Sequence, residues 1–143
     1  FKGMRSKGNN ELHVTSTHYD DQIALDLVRG SQRTVAIHGC EGNESVVYIG
    51  GSDDRLIELI TESLEDIGIS VREAPHHISG TQENNIVNMT QTQGGVQLEL
   101  TAQLRKELFK NRKSSRKNRE NKDNWDDLMY DFADAMKKAI ERA

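Results

Sequence analysis

Cysteine is nearly absent: Cys40 stands alone, so no internal disulfide forms and an oxidised, disulfide-stapled scaffold is excluded. Long apolar runs are missing as well. No stretch approaches the roughly 20 residues that a membrane-spanning helix needs, which excludes such a span. No charged-then-apolar leader stands at the start. The first residue is Phe1 rather than Met, which sets the expectation of a longer chain N-terminal to it. Several catalytic signatures are also lacking. There is no His-Glu-x-x-His and no cysteine-based zinc pattern, no Gly-x-Ser-x-Gly nucleophile elbow, and no Walker loop.

The composition, 34% hydrophobic and 29% charged over 143 residues, is that of one rather polar globular domain with room for a real core. We expect a single α/β domain over residues 1–143, with a basic loop at 105–122 and a C-terminal helix at 123–143. Acidic residues are in excess, for a net charge of −4, but the charge is uneven. Residues 105–122 hold nine of the 19 Lys and Arg and only two of the 23 acids, Glu107 and Glu120. That segment carries +7 and leaves ten bases against 21 acids elsewhere, a net −11. Such a block suits contact with a polyanion, or a solvated loop.

Residues 1–10 are rich in Gly, Lys and Asn and read as a surface lead-in. Leu12 to Ser16 alternates apolar and polar, which predicts a strand. Asp21 and Gly30 bracket a short helix containing Ile23, Leu25, Leu27 and Val28. The apolar run from Thr34 to His38 predicts a buried strand, and Val46 to Ile49 a second. Ser52 is the expected N-cap of the clearest helix, whose stripe is Leu56, Ile57, Leu59, Ile60, Leu64 and Ile67, with Gly68 as its stop. Strands are expected again at 69–71 and 95–101. The Asn-, Gln- and Thr-rich stretch 75–95 looks least structured. Thr101 caps a short helix towards Phe109. Trp125, Leu128, Met129, Phe132, Ala135, Met136, Ala139 and Ile140 stripe the last helix. This alternation argues an α/β sheet flanked by helices.

Two strands carry the chemical candidates. Val35-Ala36-Ile37-His38-Gly39 delivers an imidazole to a strand end, where α/β sheets gather ligands. Histidine is the commonest metal ligand and titrates near neutral pH, although a hydrogen-bonded structural role is the ordinary alternative. Val96-Gln97-Leu98-Glu99-Leu100 places one carboxylate in an otherwise apolar run. Glutamate is seldom buried without a partner, so Glu99 reads as a catalytic base, half of a salt bridge, or a residue on an edge strand facing water. The other imidazoles are weaker candidates. His13 and His18 lie five apart, on opposite faces of a continuous strand, and His76-His77 after Pro75 reads as surface. Cys40 is a reactive thiol or a small core filler. Gly50-Gly51-Ser52 resembles an anion site at a helix N-terminus, but Asp53 and Asp54 would repel a phosphate.

Taken together, Leu12-His13-Val14-Thr15-Ser16-Thr17-His18, Ala36-Ile37-His38-Gly39, Val47-Tyr48-Ile49-Gly50-Gly51, Gly80-Thr81 with Asn84-Asn85-Ile86, and Gly95-Val96-Gln97-Leu98-Glu99 resemble the poly-γ-glutamate hydrolase family of bacilli and their phages. The resemblance runs from Phe1 to about Phe109. It implies a zinc carboxypeptidase-like fold: a mixed central sheet flanked by helices, with one Zn2+ and hydrolysis of γ-glutamyl amide bonds. By resemblance His38 is the later zinc ligand, Glu99 activates the zinc-bound water, and Asn84 and Asn85 contact substrate. Two departures stand out. Met89 occupies a position where the resemblance leads one to expect an arginine. The early His-x-x-Glu motif, which supplies two further ligands, has no match, since Ser16 and Asp21 lie three residues beyond His13 and His18. Either that motif lies upstream of Phe1 or the protein is a degenerate, metal-free relative.

The expected activity is thus zinc-dependent hydrolysis of poly-γ-glutamate by a monomer, with the basic block guiding an acidic polymer. Two other classes stay open: a phage-related protein that binds nucleic acid or another polyanion, and an inactive hydrolase-like fold. The basic block has no interleaved aromatics to stack bases.

Overall fold

The computed structural model describes residues 8–143, so most of the lead-in expected for residues 1–10 lies outside the described residues. In chain order the main elements are α1 (Gln22–Arg29), β1 (Val35–Cys40), β2 (Val46–Gly51), α2 (Asp54–Glu65), β3 (Ser70–Glu73), β4 (Val96–Thr101), α3 (Ala102–Glu107) and α4 (Asp127–Glu141). The four strands form one mixed sheet in the order β1-β4-β2-β3. β1 runs parallel to β4, β2 antiparallel to β4, and β3 parallel to β2. This is the mixed α/β architecture expected from the sequence.

Alternation along β4 divides the molecule. Successive strand side chains point to opposite faces. Val96, Leu98 and Leu100 enter the core with Val47 and Ile49 of β2, while Gln97, Glu99 and Thr101 face the other way. Leu56, Leu59, Ile60 and Leu64 of α2 fill the core from above, and Phe132, Ala135, Met136 and Ala139 of α4 close it. All six β4 residues are buried, so both faces of this strand are covered.

The helix signals hold with two corrections. The last helix begins at Asp127 behind its cap Asp126, so Trp125, expected in its stripe, lies before it. α2 is capped by Asp53, whose carboxylate accepts from Leu56 N at 3.0 Å, not by Ser52. The Ser52 backbone is committed elsewhere, its N–H donating to Gly95 O at 2.9 Å and tying the end of β2 to the start of β4. Gly68 takes the left-handed conformation, φ +82, that ends α2 and turns the chain into β3. α1 is capped by Asp21 as expected, yet Ile23 and Leu27 stay exposed on it.

The strand expected from Leu12 to Ser16 does not form. That region makes two 3-10 turns, Asn9–Leu12 and Ser16–His18, and Leu12 and Val14 are exposed. Its alternation finds neither a sheet neighbour nor a buried face, the two things that stabilise a strand. The polar stretch 75–95 is more ordered than it looked, with turns at His76–Ile78 and Ile86–Asn88 and with Asn85, Asn88 and Thr90 buried. It lies flat on the sheet because β2 offers no side chain at Gly50, where a Cβ would sit 2.2 Å from Ser79 O.

Among the described residues no helix is long and apolar enough to cross a membrane. Leu98 is fully buried at the centre of the sheet. Leu98→Ala is expected to cost about 2–5 kcal/mol of stability, read from the midpoint of urea unfolding. A loss well under about 1 kcal/mol would contradict this placement of the core.

Candidate active site

The register of the β1–β4 ladder brings the two candidates together. His38 and Glu99 are direct partners across parallel strands, so both side chains leave the same face about 4.8 Å apart along the hydrogen-bonding direction. Tyr48 on β2 is the other partner of Glu99, and Arg72 on β3 is the partner of Tyr48. A polar row, His38–Glu99–Tyr48–Arg72, thus crosses the whole sheet on the face away from the core.

The His38–Glu99 end of this row floors an open pocket of about 310 Å3. One wall is the N-terminal segment, with His13, Thr15, Ser16 and Thr17. The opposite wall is the polar loop, with His77, Ile78, Gly80, Gln82 and Asn85, and Gln97 completes the floor. His13, expected on a strand, and His77, expected at the surface, both line this same pocket while remaining exposed. No local periodicity marks them. They reach it because two separate loops fold onto one face of the sheet.

Glu99 is buried, with 7% of its surface exposed. Burial pushes its carboxyl above the usual carboxylate range, and the His38 ring, the Gln97 hydrogen bond and the Arg105 guanidinium pull it only part of the way back. A carboxyl raised in this way is a stronger base than a solvated glutamate. Gln97 Nε2 donates to Glu99 Oε1 at 3.3 Å. Asn85 lines the pocket, but its amide is engaged on both sides, accepting from Val87 N and donating to Gln97. Asn84 is exposed beside it, and Met89 is half-buried. Burial and the Glu99 carboxylate also push the Cys40 thiol up, against the pull of Arg105. Cys40 therefore stays protonated and is no activated nucleophile.

The basic block is a loop closed on itself. Phe109 and Trp125 pair as an isolated antiparallel bridge, and Asp126 N donates to Leu108 O at 3.1 Å. The Trp125 indole donates to Arg119 O at 2.8 Å, the Lys122 ammonium lies 5.5 Å from its ring centre, and Tyr130 packs 5.9 Å away. The lone tryptophan is committed to folding this loop, which leaves it ill suited to stacking on a base.

The poly-gamma-glutamate hydrolase family model matches residues 1–135. The chain belongs to that family. Among solved structures, that of bacteriophage poly-gamma-glutamate hydrolase superposes with a TM-score of 0.88 at 33% identity, covering 95% of this chain and 65% of the phage chain. The zinc-free apo form of YndL superposes with the same TM-score of 0.88 at 28% identity, covering 98% of this chain and 68% of its own. The SPbeta prophage-derived UPF0714 protein YoqZ of Bacillus subtilis (strain 168) is 37% identical over 111 residues, or 76% of this chain. Our chain spans only 40% of the length of YoqZ. Among the described residues of this poly-γ-glutamate hydrolase family member, no group of three or more His, Cys, Asp or Glu is assembled to hold a metal ion.

The burial of Glu99 has a signed consequence for stability. Its folded carboxyl is raised above the ordinary value of about 4.3, so the neutral form is favoured by folding. That contribution is fully present below the ordinary value and is lost as pH rises through the raised one. With a chelator present, Glu99→Gln is therefore expected to raise the melting temperature at pH 7, the gain shrinking towards pH 4. A variant that melts lower than the parent at pH 7 and matches it in acid would contradict the assignment.

Proposed function

We propose that this protein hydrolyses the γ-glutamyl amide bonds of poly-γ-glutamate, with Glu99 as general base and His38 as a zinc ligand. The observation that carries the reading is the pairing of His38 with Glu99 across the β1–β4 ladder on the floor of a polar pocket. Family membership and likeness to the phage hydrolase support the substrate class. Likeness to a protein solved in a zinc-free form supports the metal.

The donor chemistry of His38 suits one zinc position, since this half-buried residue lies on the pocket floor. A catalytic zinc takes three protein ligands, and the described residues assemble no such set. The reading therefore assigns one ligand to His38 and requires the others from outside the described residues. When bound, the metal would polarise the scissile carbonyl and acidify a water. Glu99 takes the proton of the attacking water and returns it to the leaving amine. Its strand holds it rigidly, and its raised carboxyl favours the uptake of the proton. Asn84, with Asn85 on the pocket wall, is the proposed contact of the loop with substrate. The +7 charge of residues 105–122 is proposed to attract the acidic polymer by long-range steering.

The test is to follow the chain length of poly-γ-glutamate by size-exclusion chromatography in the presence of zinc. Full-length protein is expected to shorten it, while Glu99→Gln keeps its fold and zinc content and loses roughly 10²–10⁴-fold in turnover. Unchanged turnover in that variant would remove Glu99 from the role. Absence of hydrolysis together with salt-sensitive nucleic-acid binding would favour the polyanion-binding reading.

A further inference from the structure

The pocket contains a directed chain of hydrogen bonds that neither wall explains by itself. Gln97 and Glu99 sit two residues apart on the same face of β4, and both are buried, at 6% and 7% exposure. A side-chain amide presents a donor at one end and an acceptor at the other, so its orientation decides what a neighbour receives. Here the orientation is set from a distance. The Val87 backbone N–H donates to Asn85 Oδ1 at 3.1 Å, which fixes the Asn85 amide as the cap of the Ile86–Asn88 turn. Asn85 Nδ2 then donates to Gln97 Oε1 at 3.1 Å. With its oxygen engaged, Gln97 has only its Nε2 to turn outward, and that group donates to Ile78 O at 3.2 Å and to Glu99 Oε1 at 3.3 Å. Gly80, at φ +68, leaves room for the Gln97 side chain, since a Cβ there would lie 2.8 Å from Gln97 Cβ.

We propose that Gln97 is a positioning residue for the catalytic carboxylate, its amide held in the donating orientation by Asn85, so that the polar loop aims Glu99. This rests on the reading of Glu99 as the general base. A glutamate has three side-chain torsions, and on the floor of an open pocket it would sample several rotamers. A donor fixed on Oε1 selects one of them and leaves Oε2 as the oxygen Gln97 does not bond. A reversed Gln97 amide would instead point its oxygen at a carboxylate, so the relay also works by excluding that arrangement.

The test uses Gln97→Met, which keeps length and removes the donor, and Asn85→Asp, which still accepts from Val87 N but withdraws the donor that orients Gln97. Both are expected to lower kcat on poly-γ-glutamate by on the order of 10²-fold, the scale of misplacing a reacting group by about 1 Å; KM is expected to change little in Gln97→Met, while Asn85→Asp, which also alters the proposed substrate contact, is judged on kcat alone. The double variant is expected to lose no more than Gln97→Met alone, because the two residues act through one contact. A readout independent of turnover is the side-chain amide signal of Gln97 in 15N–1H NMR spectra of the unsubstituted protein. It is expected to be protected from solvent exchange and to shift in Glu99→Gln. Full kcat in a folded Gln97→Met, additive losses in the double variant, or a Gln97 signal indifferent to Glu99→Gln would each overturn the proposal. If Gln97→Met fails to fold, Asn85→Asp and the NMR signal decide. Loss of turnover in Glu99→Gln with normal kcat in Gln97→Met would sink the relay alone, whereas full turnover in Glu99→Gln would sink the base and the relay together.

Discussion

The parallel register between β1 and β4 is the constraint on which the rest depends. A slip of one residue would turn His38 to the opposite face from Glu99 and send Leu98 out of the core, because the side-chain period of a strand is two. The register is held from both sides. Val96, Leu98 and Leu100 are locked against α2 and α4, so β4 cannot shift without exposing apolar surface. On the other face Thr101 accepts from Val46 N and donates to Glu44 O, pinning the end of the strand to the β1–β2 connection. The hydrophobic core thereby fixes the geometry of a polar site that shares no atoms with it.

The second layer of the site is built by backbone that comes close rather than by side chains that reach far. The 75–95 loop can lie on the sheet because of the gap at Gly50, and its buried amides then satisfy its own carbonyls, as Asn88 does for Gly80 O and Gln82 O. A polar loop of this kind brings donors to the pocket while leaving few groups of its own unpaired. Among the described residues a single buried side-chain atom, Asn88 Oδ1, lacks a partner.

Much of the fold was legible in the sequence where local pattern and burial agree. The α2 and α4 stripes, the Asp21 and Thr101 caps and the Gly68 stop follow from residue chemistry within one turn, and the apolar run of β4 marked it as a strand, although not which of its residues face inward. Leu12 to Ser16 misled because alternation alone does not make a strand without a neighbour to pair with. The site was legible only in part. His38 and Glu99 stood out as single polar residues in apolar strands. His13 and His77 did not, because their place in the pocket comes from long-range packing of two loops. Gln97 was hidden for a similar reason, and Asn85 entered only through the resemblance, as a substrate contact: amide orientation belongs to a network and has no sequence signature.

The most direct measurement is a zinc-edge anomalous diffraction map of the full-length protein grown with zinc. An anomalous peak about 2.0–2.1 Å from a ring nitrogen of His38, with Glu99 beside the metal but outside its coordination shell, is the expected result. A zinc bound away from His38, or Glu99 itself as a ligand, would contradict the assignment of these two residues as ligand and base.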